Sequence, residues 1–128
     1  MALSEFEVIE QQPDTDGSVS IVAYDGKQRV VAFVGRAAID DYSSKYFGCP
    51  DLNTRQRMFL LRSPNNLDAV AKLISAKYAR GETSLYHGYG STLRRVDIEL
   101  SDLERGTRLE VAPLMVLDGA GFKGSSLG

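Results

Sequence analysis

The dipeptide Asp25-Gly26 constrains the fold more than any other feature of this chain. It separates two β-rich runs, Ser18 to Tyr24 and Lys27 to Val34. Asp-Gly tolerates the positive φ that a two-residue type I′ loop demands at both central positions, so the spacing predicts an antiparallel hairpin turning at Asp25-Gly26. The second run, Val30-Val31-Ala32-Phe33-Val34, is apolar at successive positions and needs cover on both faces. It belongs inside a sheet.

Beyond Gly35 the apolar period lengthens. Ile39, Tyr42 and Tyr46 share one helical face, and Asp41 stands four residues before Lys45, which predicts a helix over 36–47 closed by Gly48 and Pro50. A short helix then runs from Asn53 or Thr54 to Arg62, with Gln56 placed to complete a capping box on Asn53. Ser63-Pro64 ends it, and Asn65 is expected to cap the strongest helix, 66–80. Its stripe is Leu67, Val70, Ala71, Ile74 and Tyr78. Asp68 and the pair Lys77 and Arg80 sit at the ends that the helix dipole favours.

Strand patterns resume at Thr83 to Tyr89 and at Leu93 to Leu100, where Val96, Ile98 and Leu100 alternate with Arg95, Asp97 and Glu99. A weaker strand is expected at residues 3–9, and Ser101 to Glu104 reads as a turn or one helical turn. The run Leu109 to Leu117 reads as a last strand, limited to an edge by Pro113. An apolar edge is a hazard, so residues 114–117 are expected either to pack under the helices or to meet a second copy in a homodimer. The pattern as a whole predicts one α+β domain over residues 1–117. Its sheet is antiparallel, made from the N-terminal hairpin and the C-terminal strands, with two to three helices packed on one face. A Gly/Ser-rich tail, 118–128, follows.

A chain of 128 residues buries roughly two-thirds of its unfolded surface, enough for one core without metals or disulfides. Its formal charge of −2 argues against a dedicated polyanion binder. No apolar run is long enough to span a membrane, the first residues do not resemble a signal peptide, and Cys49 is the only cysteine. A cytoplasmic protein is expected.

The chemical motifs are sparse. His87, the only histidine, reads as a half-exposed strand residue, and Cys49 as a small buried one; a Cys49–His87 dyad has no local support. Gly119-Ala120-Gly121-Phe122-Lys123-Gly124 has dinucleotide-loop spacing, but too few residues follow for the helix that such a loop opens. Carboxylate pairs occur at Asp14/Asp16, Asp40/Asp41 and Asp97/Glu99. Asp97, Glu99 and Arg95 share a strand face, where the pair has the chemistry to bind a cation or do acid–base work, but alternating charges on a solvated strand face are far commoner. The helix pair 54–80 has the spacing of a helix-turn-helix, with Arg55, Arg57, Arg62, Lys72, Lys77 and Arg80 available for phosphates. Asp68 in the first turn of the would-be recognition helix weighs against DNA. No catalytic residue, metal ligand or cofactor site is assigned, and no cofactor is expected.

Two stretches resemble the bacterial domain-of-unknown-function family 1488. One is Val30-Val31-Ala32-Phe33-Val34 leading to Ala37-Ala38-Ile39-Asp40-Asp41-Tyr42. The other is Asn66 to Ile74 with Lys77-Tyr78-Ala79-Arg80-Gly81, and Val96-Asp97-Ile98 fits more loosely. The resemblance spans residues 30–98 and implies a small bacterial α+β protein; it assigns no activity and no site residue. The sequence therefore favours a non-enzymatic accessory or protein-binding module, acting on a protein partner or by self-association. The alternatives are nucleic-acid binding through the 54–80 helix pair, or a small enzyme or ligand-binding protein whose polar groups converge only in three dimensions.

Overall fold

A computed structural model describes residues 3–9, 17–88, 90–106 and 108–118. The elements run β1 (Ser4–Ile9), β2 (Val19–Asp25), β3 (Gln28–Val34), α1 (Arg36–Phe47), α2 (Thr54–Arg62), α3 (Pro64–Ala79), β4 (Ser84–Gly88), β5 (Ser91–Ile98), α4 (Leu100–Gly106) and α5 (Ala112–Asp118). The α+β class stands, with five helices among the described residues where two to three were expected. The extra ones come from residues 100–106, where a turn or one helical turn was expected and the helical alternative holds, and from residues 112–118, whose sequence reads as an edge strand.

The sheet order is β1-β2-β3-β5-β4. β3 is interior, as its doubly apolar run requires, but the sheet is mixed: β3 pairs parallel with β5, Val30 beside Arg94 and Val34 beside Ile98. An all-antiparallel sheet was the expectation. Chain connectivity overrides it, because β4 enters as the outer arm of a β4–β5 hairpin and thereby reverses the direction in which β5 reaches β3.

The β2–β3 hairpin forms, with its turn one residue later than expected. Asp25 pairs with Gln28 and Tyr24 with Arg29, leaving Gly26-Lys27 as the loop. Gly26 has φ +63° and Lys27 is not left-handed, which fits a type II′ turn better than type I′. The partner of Tyr24 moves from Lys27 to Arg29, a two-residue step, so the same residues still share each face.

α2 opens on the expected capping box, Asn53 Oδ1 accepting from the Gln56 amide at 2.8 Å and Gln56 Oε1 accepting from the Asn53 amide at 2.8 Å. α3 begins earlier than expected, with Ser63 at its N-cap and Pro64 in its first turn. A proline loses nothing there, since first-turn amides lack helical partners. Asn65 is therefore inside the helix rather than its cap. Asn66 turns inward instead, fully buried, donating to the carbonyls of Leu60 (2.9 Å) and Glu110 (3.0 Å) and accepting from the Glu110 amide (2.7 Å). Pro113 is placed by the same logic, as the second residue of α5 rather than an edge-strand residue. Leu114 on that helix is fully buried and Met115 is exposed, so the apolar C-terminal run is only partly packed under the helices; the side chains of residues 116–118 lie outside the described residues. The strand expected over Leu93 to Leu100 ends at Ile98, and Leu100 opens α4.

Every helix contributes to one cluster with one face of the sheet. Ile39 and Tyr42, Leu60 and Leu61, Val70 and Ile74, Leu103 and Leu114 meet Val19, Ile21, Val30, Ala32, Val34, Val96 and Ile98. The α3 stripe behaves as its spacing predicts, with Val70, Ala71 and Ile74 buried and Leu67 and Tyr78 half-buried.

Candidate functional site

Successive strand residues point to opposite faces, so register fixes what the other face carries. Val22 lies beside Val31 and Tyr24 beside Arg29. Val31 is also beside Arg95, and Phe33 beside Asp97. Tyr86 is beside Leu93, Ser84 beside Arg95, and β1 adds Glu7 next to Val22. Among the described residues no helix packs its buried apolar side chains on this face. Val22, Val31 and Leu93 are nevertheless buried on it, outside the main cluster, flanked by large aromatic and arginine neighbours.

Those neighbours interlock. Phe33 and Tyr86 meet edge to face, with ring centroids 5.1 Å apart at 61°. The Arg95 guanidinium stands 4.5 Å from the Phe33 centroid and 5.8 Å from that of Tyr86. Its Nε donates to Asp97 Oδ1 at 2.8 Å, which fixes the plane of the group. At the other side Arg29 lies 6.0 Å over Tyr24. Each stacked cation contributes about 0.5–1 kcal/mol at an exposed site, and the stacking removes rotamer freedom before any partner arrives.

Two hollows meet at Arg62 on the helix side. One, of about 420 Å³, is lined by Phe59, Pro64, Ala112 and Pro113 with Ser63 and Glu110; the other, of about 470 Å³, lies between Phe6–Ile9 of β1 and Leu67. Their walls are mainly apolar, and no set of acid, base and nucleophile converges in either.

The buried charges are occupied in holding elements together. Arg57 binds Asp40 of α1 (3.0 and 3.1 Å), the Gly17 carbonyl (2.9 Å) and the Leu52 carbonyl (2.5 Å). Lys77 of α3 binds Asp102 of α4 (2.9 Å) and the Asp97 carbonyl (2.7 Å). Burial pushes the Asp102 pKa up, but the Glu99 amide and the Lys77 ammonium outweigh it and hold the carboxyl below its ordinary value. Tyr78 of α3 donates to Asp25 of the hairpin at 2.6 Å, which raises the pKa of the phenol.

The residues singled out in the sequence are scattered. His87 is exposed on β4, with Nδ1 3.0 Å from Thr92 Oγ1. Cys49 is buried in the core cluster, its thiol 3.6 Å from the Phe47 carbonyl. Of the six cations of the helix pair, Arg57, Lys77, Lys72 and Arg80 have carboxylate partners, respectively Asp40, Asp102, Asp68 and Glu82; Arg55 and Arg62 are exposed. Asp97 is bound to Arg95 on the strand face, whereas Glu99 lies past the end of β5. Asp14, Asp16 and the run Gly119 to Gly124 lie outside the described residues, as does all of the tail beyond Asp118. Among the described residues no three His, Cys, Asp or Glu side chains are grouped to hold a metal, and no helix is long and apolar enough to cross a membrane.

The aromatic–arginine face was not anticipated. Its members come from four strands, but a signal exists: Arg29, Val31 and Phe33, then Tyr86, then Leu93, Arg95 and Asp97, recur at every second residue of their runs. In comparisons with known proteins no family model, no curated protein and no solved structure matches this chain.

Proposed function

We propose that the protein is a non-enzymatic protein-binding module that meets its partner with the helix-free face of its sheet. The Phe33–Tyr86–Arg95 cluster carries this reading. Tyrosine and arginine dominate the energetic centres of protein interfaces, and here they are held in place over buried Val31 and Leu93. Charge on the face is balanced, Arg29 and Arg95 against Glu7 and Asp97. A polyanion such as nucleic acid calls for a cationic excess; a folded protein surface does not. A cytoplasmic setting is part of the proposal and suits a lone, buried cysteine.

Photo-crosslinking in the native cell tests it. Benzoylphenylalanine replaces Tyr24 on the open face or, in a second strain, exposed Ala76 on the outer side of α3. The expected result is a discrete protein adduct from position 24 alone, lost when Phe33→Ala and Arg95→Ala are added to a chain that remains folded. Adducts from position 76 alone, or a position-24 adduct that survives the double substitution, would remove the face from consideration.

A further inference from the structure

The two edges of the sheet are built differently. β1, at one edge, carries three devices that discourage strand pairing. Its register with β2 shifts between Ser4 and Glu7, Glu5 has φ +58°, and two carboxylates, Glu5 and Glu7, lie on it. Bulges and edge charges are how natural sheets block edge-to-edge association. β4, at the other edge, has none of them. It pairs with β5 at every residue from Ser84 to Gly88 without a shift. Its sequence, Ser-Leu-Tyr-His-Gly, has no Lys, Asp, Glu or Pro, and Leu85 is 60% exposed.

From this asymmetry we infer that β4 is a self-association edge, and that its occupant is the β4 strand of a second copy, running antiparallel about a two-fold axis. Around such an axis each residue meets its own kind or a near neighbour, so a strand that self-pairs has to avoid like charges. β1 fails that condition through Glu5 and Glu7, whereas β4 satisfies it. Glu82, two residues before the strand, is ion-paired with Arg80, and the arginines of the neighbouring strand, Arg94 and Arg95, sit one strand in. Across the seam they face their copies at about three strand spacings, roughly 14 Å. That exceeds the Debye length of about 8–10 Å at ordinary salt, so their repulsion is screened. The dimer closes: a ten-stranded sheet with the protected β1 strand at both ends and no open edge left for a third chain. Leu85, stranded on the surface of one copy, gains the partner strand as a neighbour, and Tyr86 extends the aromatic row of the open face across the seam. None of this depends on what the open face binds.

Sedimentation equilibrium at high micromolar concentration tests the inference. The wild-type chain is expected at twice its 14.0 kDa mass, and Leu85→Lys, which adds an edge charge at an exposed position, at 14.0 kDa with the thermal midpoint that the wild type shows when diluted to monomer. Met115→Glu, on the 54%-exposed methionine of α5, is expected to leave the dimer intact. Hydrogen exchange supplies a second readout: amides of residues 84–88 should gain protection as concentration rises in the wild type and not in Leu85→Lys. A strictly monomeric wild type, a dimer that survives Leu85→Lys, or a dimer lost on Met115→Glu overturns the proposal.

Discussion

Arg57 Nη1 stands 3.0 Å from Asp40 Oδ1 and 3.1 Å from Oδ2, with the arginine only 3% exposed. The same guanidinium satisfies two backbone carbonyls, so three segments distant in sequence are tied by one planar group. Arg57→Ala leaves Asp40 without its buried counter-charge and two carbonyls without a donor. Urea unfolding should show a loss of about 3–5 kcal/mol. Arg57→Lys should recover little, since an ammonium cannot present the same fork. A loss below 1 kcal/mol in Arg57→Ala, on the order of a surface pair, would mean that the network is not holding these segments.

Asp102 gives a pH dependence of defined sign. Its folded pKa lies below the unfolded one, so the stability it contributes is present above the unfolded carboxylate value, about 4. That contribution is lost as pH falls through the lower folded value. Asp102→Asn should therefore flatten part of the acid limb of the stability curve and cost about 1.5–3 kcal/mol at neutral pH, where Lys77 loses a charged partner. Parallel acid limbs for variant and wild type would refute the assignment.

Ile74 is fully buried in the stripe that α3 lays on the sheet. Ile74→Ala should lower stability by about 2–5 kcal/mol in chemical denaturation. An unchanged midpoint is incompatible with the packing described.

Ser43 is fully buried on α1, and its hydroxyl has no hydrogen-bond partner among the described residues. Removing an unsatisfied hydroxyl removes a desolvation cost, and alanine is the better helix former. Ser43→Ala should be neutral or more stable by up to about 1 kcal/mol. A clear destabilisation in thermal unfolding would reveal a bonding role for the hydroxyl.

DNA recognition by the helix pair is expected to be absent, because at least four of its six cations already serve carboxylates of the same chain. Fluorescence anisotropy with duplex DNA at two salt concentrations checks this. Sequence-selective, salt-sensitive binding that disappears on neutralising Arg55 and Lys72 would reverse the conclusion.

Local periodicity made most of the elements legible. The β2–β3 hairpin, α1, the capping box of α2 and the buried stripe of α3 all rest on contacts within one element or one turn. What local pattern could not convey was direction and partnership. Nothing within Leu93 to Ile98 says that its neighbour is β3 or that the pair is parallel; that follows from where the β4–β5 hairpin docks. Pro113 misled because an apolar run with one proline suits both an edge strand and the first turn of a helix. Packing of Leu109 and Leu114 into the core decides for the helix. The open-face cluster stayed hidden for the same reason as the parallel pair. Phe33, Tyr86 and Arg95 become neighbours only once β5 has joined β3.

That late joining governs how the chain comes to be folded at all. Val30 meets Arg94, and Val34 meets Ile98, so β3 lacks one flank until the chain has been made past residue 98. On the ribosome, a strongly apolar strand waits as a raw edge beside β2 while three helices emerge. Closing so long a loop is entropically costly and slows the search, as non-local strand pairing does generally. Docking of the β4–β5 hairpin completes the sheet, and a nascent chain arrested before Ser91 is expected to leave β3 an open edge, exposed to chaperones or aggregation.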